Sequence, residues 1–186
     1  PAEAVEPAFF KQLLPEIDRI SRTIPDRQSR AVAGYSMGGY GALRYLLAHP
    51  DKFMGAVVMS PAVYTPLPPS GSSTREFGAF GKGSQLFDEA TYQSKNYPAL
   101  WAGFTAAKLK SYLFIASGDD EYANPLPAEM LNDIDMEAHL LYTRARRVDY
   151  LVAELRILEG GHSWDVWRPA FIEGARYLAQ FLVTEK

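Results

Sequence analysis

Ser36 stands between two glycines in Gly34-Tyr35-Ser36-Met37-Gly38, a G-x-S-x-G run. A serine hydroxyl is a weak nucleophile unless a base takes its proton, so the run matters only if a histidine and an orienting acid can reach it. The chain offers three histidines. His49 precedes Pro50 at the expected end of a helix and reads as a capping or packing residue. His139 lies inside a helical stretch, off its apolar stripe, and reads as a solvated helix residue. His162 lies in Gly160-Gly161-His162-Ser163-Trp164, where two glycines give a loop the freedom to aim an imidazole. The acidic candidates are Asp119, Asp120 and Glu121, directly after Gly118. The bland readings are a glycine-rich strand–helix turn at Ser36, and a solvated turn or calcium loop at 119–121. Calcium fits poorly, because one three-residue cluster lacks the spaced ligands of such a site.

The elements around these residues favour the chemical reading. Arg30-Ala31-Val32-Ala33 is a short apolar run ending at Gly34 and reads as a buried strand; Met37–His49 reads as a helix closed by Pro50. Ser36 thus falls on a strand-to-helix turn, the context that gives the motif its meaning. Glycine at 34 and 38 relieves collisions around a strained turn, Gly39 and Gly41 let the helix approach the sheet, and the Met37 N–H at the helix start faces a developing oxyanion. Gly55–Met59 is a second buried strand stopped by Ser60-Pro61, and Ser111–Ala116 a third, ending at Ser117-Gly118. Ile134, Ala138, Leu141, Ala145 and Val148 form one helical stripe. Ala153–Leu158 is a fourth strand, and Trp167, Phe171, Ala175, Leu178 and Leu182 mark a closing helix. Ahead of all this, Phe9, Phe10, Leu13, Ile17 and Ile20 recur at helical spacing, with Pro15 bending that helix. Strand and helix alternate, which argues an α/β layer fold with a parallel sheet. The acids and His162 then stand at carboxyl ends of parallel strands, where such sheets build their sites. The chain order Ser, acid, His is that of the α/β-hydrolases.

Between Val63 and about residue 105 the periodicity breaks down, and seven prolines and glycines between Pro66 and Gly83 interrupt it. Seven aromatics from Tyr64 to Trp101 in the same stretch are too many for a linker. It reads as an excursion packed onto a single domain spanning 1–186, either covering surface or capping a site.

Composition narrows the classes. The 186 residues are 47% apolar and 22% charged, which excludes an intrinsically disordered chain. Nineteen Lys and Arg against 22 Asp and Glu give a net charge of −3, so no basic field draws in nucleic acid or an anionic membrane. The absence of cysteine excludes disulfides, thiolate metal sites and a cysteine nucleophile. Apolar runs fall far short of the roughly 18 residues of a membrane span.

The run Gly34-Tyr35-Ser36-Met37-Gly38-Gly39-Tyr40-Gly41-Ala42-Leu43, with His49-Pro50-Asp51-Lys52-Phe53, Ser60-Pro61 and Gly160-Gly161-His162-Ser163-Trp164, resembles the putative-esterase family. That family includes esterase D, feruloyl esterases, enterochelin esterases and antigen 85 mycolyltransferases. The resemblance implies a three-layer α/β-hydrolase sheet, predominantly parallel. It also implies Ser36 as nucleophile, His162 as base, the Met37 backbone N–H as oxyanion donor, and Tyr35 and Trp164 at the substrate. Gly-x-x-acid spacing from Gly118 implies Glu121 as the acid; Asp120 remains the alternative of commoner residue type. The implied activity is a carboxylic-ester hydrolase working through an acyl-enzyme on a small ester, without metal or cofactor. An acyltransferase and a non-catalytic hydrolase-like module are the alternatives. The resemblance leans towards a secreted or periplasmic setting. Only 35 residues precede Ser36, fewer than in the family. The expectation is that the first strands of the sheet are missing, and that a preceding segment or a neighbouring chain covers the edge beside Ala31-Val32-Ala33.

Overall fold

The apolar runs Gly55–Met59 and Ser111–Gly118 are buried along their whole length, and the sheet is built around them. The computed structural model describes residues 2–121 and 127–184. In chain order, helix α1 (Ala2–Ala8) passes through a π-helical turn (Phe9–Leu13) into α2 (Leu14–Ile20). The wide turn sits just ahead of Pro15, whose ring removes an N–H and crowds the Lys11 carbonyl, so the ladder opens there instead of kinking. Then follow β1 (Ala31–Tyr35), α3 (Met37–Ala48), β2 (Gly55–Met59), α4 (Glu89–Lys95) and α5 (Trp101–Ala107). The chain closes with β3 (Ser111–Gly118), α6 (Ile134–Ala145), β4 (Leu151–Leu158) and α7 (Trp164–Ala179).

The four strands form one parallel sheet in the order β1-β2-β3-β4. Tyr35 pairs with Met59 and Met59 with Ala116, so the carboxyl ends of β1 and β2 lie level, and β3 and β4 run two residues further. Strand alternation sends Ala56, Val58, Leu113 and Ile115 to one face, against Leu43, Leu46 and Leu47 of α3 and Ala138 and Leu141 of α6. Val57, Met59, Phe114 and Ala116 face the other way, under Val166, Trp167, Ala170 and Leu178 of α7. Three layers result, with both faces of the central strands dry.

Two expectations meet differences in the structure. The run before Gly34, read as a buried strand, is exposed at Ala31, Ala33 and Tyr35, because β1 is the outermost of the four described strands, the edge for which a covering segment or neighbouring chain is expected. On α7 the buried stripe runs through Val166, Trp167, Ala170, Gly174 and Leu178, while Phe171 and Ala175 face solvent. A Cβ at Gly174 would come within 2.6 Å of Val57 Cγ1 and 2.8 Å of Phe114, so the absence of a side chain is what lets α7 lie this close to the sheet.

The excursion after β2 carries two short helices, α4 and α5. Tyr64, Phe80 and Tyr92 pack with Ala62 and Ile134 into a small core of their own, which fixes the segment to the domain. Its first residues are tied to α6, where the buried Glu137 carboxylate accepts from the Thr65 N–H at 2.6 Å and from the Thr65 hydroxyl at 2.9 Å.

Candidate active site

The turn from β1 into α3 is what presents Ser36. Its φ of 54° and ψ of −123° place a non-glycine residue in a sparsely populated region, a strain on the order of 1–3 kcal/mol that the surroundings must hold. They hold it by hydrogen bonds: Ser36 N–H donates to Met59 O at 2.9 Å, and Ser36 O accepts from Tyr40 N–H and Ala62 N–H, both at 3.1 Å. The turn is so tight that a Cβ on Gly34 would stand 2.1 Å from Gly38 O. Gly38 and Gly41 have open space around them, so the expected steric need falls on Gly34, and on Gly39, whose added Cβ would meet Met59 O at 3.1 Å. Met37 opens α3, where the first N–H groups of a helix have no intrahelical acceptor and carry the positive end of the dipole.

The β3 and β4 loops bring the other two groups to this point. Ser36 Oγ lies 3.0 Å from His162 Nε2, and His162 Nδ1 lies 2.8 Å from Glu121 Oε2. The Glu121 side chain is fully buried and that of His162 is 16% exposed, so a dry carboxyl group faces a partly open imidazole. Glu121 Oε1 accepts from Gly118 N–H at 2.6 Å, which gives the Gly-x-x-acid spacing a physical reason: a glutamate three residues on reaches back to its own strand end. Ser60 Oγ also donates to that oxygen, and Trp167 Nε1–H donates to Ser60 Oγ at 2.8 Å. Trp167 in turn meets the His162 ring edge-on at 4.8 Å.

Asp120 is exposed and joins the loop through its backbone N–H to Gly160 O. Asp119, expected to be merely solvated, accepts the Gly160 N–H at 2.9 Å and so ties the acid loop to the histidine loop. His49 caps α3, lies 2.7 Å from Glu6 Oε1 and packs on Phe10; His139 Nδ1 lies 2.8 Å from Asp135 O on the surface of α6. Both stand with other partners, away from Ser36. Tyr35 stacks on Trp167 at 4.3 Å and meets Trp164 at 4.9 Å; Trp164 is 62% exposed, so the pair forms an aromatic surface beside His162.

A groove of about 410 Å³ follows α3 from Met37, lined by Met37, Tyr40, Arg44, Phe77, Phe80 and Lys95. Its polar end is closed by Arg44, which donates from Nε to Glu6 Oε2 at 2.7 Å and from Nη1 to Lys95 O at 3.0 Å. Burial tends to raise the Glu6 carboxyl, but the hydrogen bonds from Arg44 and His49 outweigh it and hold the group below the usual carboxylate range. Among the described residues, no cluster of three or more His, Asp or Glu side chains could hold a metal ion. No helix among them is long and apolar enough to cross a membrane.

Sequence reasoning missed Ser60 and the tethering role of Asp119. A Ser-Pro pair after a buried strand reads as a strand stop, and only the third dimension shows that its hydroxyl meets a carboxylate 61 residues away.

Comparison with known proteins gives the same frame. A family model described as "Putative esterase" matches residues 3–178. An esterase of Mycobacterium tuberculosis H37Rv is 49% identical over 51 residues, which is 27% of this chain and 11% of that protein. A ferulic acid esterase superposes with a TM-score of 0.72 at 23% identity, covering 95% of this chain and 61% of its own. An S-formylglutathione hydrolase from Agrobacterium tumefaciens gives 0.67 at 17%, covering 95% and 57%. Mycobacterium tuberculosis MPT51 gives 0.65 at 18%, covering 95% and 68%. The match thus spans about a tenth of the length of the curated relatives, and the chain covers about three fifths of these folds, whose α/β architecture it shares. Matched by that family over nearly its whole length, the chain belongs to the putative esterases.

Proposed function

We propose that the chain is a serine carboxylic-ester hydrolase in which Ser36 is the nucleophile, His162 the base and Glu121 the orienting acid. The observation that carries this reading is the unbroken relay Ser36 Oγ, His162 Nε2, His162 Nδ1, Glu121 Oε2, with links of 3.0 and 2.8 Å, at the carboxyl ends of three parallel strands.

Ser36 Oγ attacks the ester carbonyl carbon while His162 Nε2 takes its proton. Glu121 Oε2, accepting the Nδ1–H, keeps the imidazole in the tautomer whose Nε2 is free to accept, and stabilises the imidazolium that forms. The carbonyl oxygen, now negative, lies against the Met37 N–H and the positive end of α3. The carbon–oxygen ester bond then breaks, and the alcohol leaves with the proton from Nε2. Water repeats the sequence on the acyl-Ser36 ester, giving the carboxylic acid and returning the proton to Ser36. No metal or cofactor takes part in these steps.

The groove lined by Met37 and the Tyr35–Trp164 surface beside His162 both adjoin the turn that carries Ser36. Each suits an apolar half of a small ester, and Phe77 and Phe80 bring the excursion after β2 into one of those walls.

The test is hydrolysis of p-nitrophenyl acetate and butyrate by the wild type and by Ser36→Ala. Alanine removes the hydroxyl and leaves the backbone of the turn in place. Turnover is expected to vanish in the variant with its thermal midpoint retained; equal turnover in both proteins would refute the reading and leave a non-catalytic hydrolase-like module.

A further inference from the structure

Ser36 and Ser60 follow paired residues, Tyr35 of β1 and Met59 of β2, so the two serines stand side by side at the sheet edge. Both hold positive φ, 54° and 44°. At such a backbone angle glycine is the least strained residue, and a serine is tolerated where its side chain does something a hydrogen cannot. The reason at Ser36 is the nucleophilic hydroxyl. At Ser60 it is a different one: the side chain is completely buried, so its hydroxyl needs partners inside the protein.

It has two, and they fix the direction of its single proton. Trp167 Nε1–H can only donate, so Ser60 Oγ must accept from it, at 2.8 Å. The hydroxyl proton is then left for Glu121 Oε1, which also takes the Gly118 N–H. An ionised carboxylate accepts both. With Oε1 held by two donors, Oε2 is the oxygen that faces His162 Nδ1. The strained backbone of Ser60 is fixed from outside the site as well, by its N–H donating to Ala116 O at 2.7 Å.

We propose that Ser60, with its proton aimed by Trp167, is a positioning residue that holds the Glu121 carboxylate for His162. It acts through Glu121 and touches no reacting atom. The inference rests on the Ser36–His162–Glu121 reading above. Without the Ser60 donor, Oε1 keeps one hydrogen bond, the carboxylate can turn about its terminal bond, and more of its charge bears on the imidazolium.

The test compares Ser60→Gly and Ser60→Ala with the wild type. Alanine lacks only the hydroxyl; glycine lacks the CH2OH group but suits the positive φ, and that relief of backbone strain offsets part of the lost Trp167 hydrogen bond, so its thermal midpoint should fall little. A hydrogen bond to a charged group corresponds to about 10-fold to 100-fold in rate, and that loss should appear in kcat with KM little changed. The acid limb of the kcat/KM profile should move to higher pH. Proton NMR gives a readout free of turnover: the far-downfield Nδ1–H resonance, assigned by its loss in His162→Gln, should shift or broaden in both variants. Wild-type kcat with an unmoved resonance would overturn the proposal. So would a loss of kcat that follows a lowered midpoint while the resonance and the pH profile stay put, which is the behaviour of a packing residue. If the wild type shows no Ser36-dependent turnover, the esterase reading fails by itself, and the resonance still decides what Ser60 does.

Discussion

Asp120 and Glu121 are neighbours, and their side chains do unlike things. Two donors, Gly118 N–H and Ser60 Oγ–H, converge on Glu121 Oε1 and leave Oε2 to His162. In Glu121→Gln the amide oxygen satisfies those two donors, and the NH₂ group is turned onto His162 Nδ1. The imidazole is then forced into the wrong tautomer, and kcat is expected to fall by about 10⁴. Asp120→Asn changes a solvent-facing side chain and should leave kcat near wild type, as should Asp119→Asn, whose amide oxygen still accepts the Gly160 N–H. A collapse in Asp120→Asn with Glu121→Gln near wild type would reverse the assignment. The candidate site was legible at this scale wherever a residue type is rare in the chain or framed by glycine, as at Ser36 and His162, which the fold brings together. Common residues doing local work were not: nothing in Ser60-Pro61 separates a strand stop from a donor to a buried acid, and Asp119 looks like any turn aspartate until Gly160 is beside it.

Among the elements, the excursion after β2 is held by a buried carboxylate with an unusual titration. Burial pushes the Glu137 carboxyl up to about 7, against the opposing hydrogen bonds from Thr65 and the nearby Arg144 charge. Tyr92 and Tyr97, close enough to feel that charge, are themselves pushed up by burial. The native state therefore keeps a proton that the unfolded chain gives up near 4.5. Below that value both states are protonated and full stability is present. Between 4.5 and about 7 only the unfolded state ionises, and stability falls as pH rises. The whole effect is about 3 kcal/mol, from 1.36 kcal/mol per unit. Glu137→Gln keeps an acceptor for the Thr65 N–H and removes the charge, so urea unfolding between pH 5 and pH 8 should give it a flatter stability profile than the wild type. Parallel profiles would show that Glu137 does not titrate in this range. Strands and long helices were readable here because their periodicity reports burial. One element was misread for a physical reason: the α7 stripe passes through Gly174, which carries no hydrophobic signal although α7 lies close against Val57 and Phe114 of the sheet there.

The whole molecule gathers one side chain of the candidate site from each strand end: Ser36 after β1, Ser60 after β2, Glu121 after β3 and His162 after β4. Ser36 and His162 are 126 residues apart, so the relay exists only when all four strands are in register. The parallel order and the end of the sheet that carries the candidate site follow from the alternation of strands and helices, which is why the convergence of these loops was readable from sequence. Its hydrogen-bond pattern depends on side-chain directions and was not. The claim that this assembly activates Ser36 is tested most directly by intact-mass spectrometry after reaction with a fluorophosphonate, followed by peptide mapping. A single adduct on Ser36 is expected, absent in Ser36→Ala, strongly slowed in His162→Gln and abolished by unfolding in urea. No adduct on the folded wild-type protein, or an adduct that forms equally fast in His162→Gln, would contradict the account.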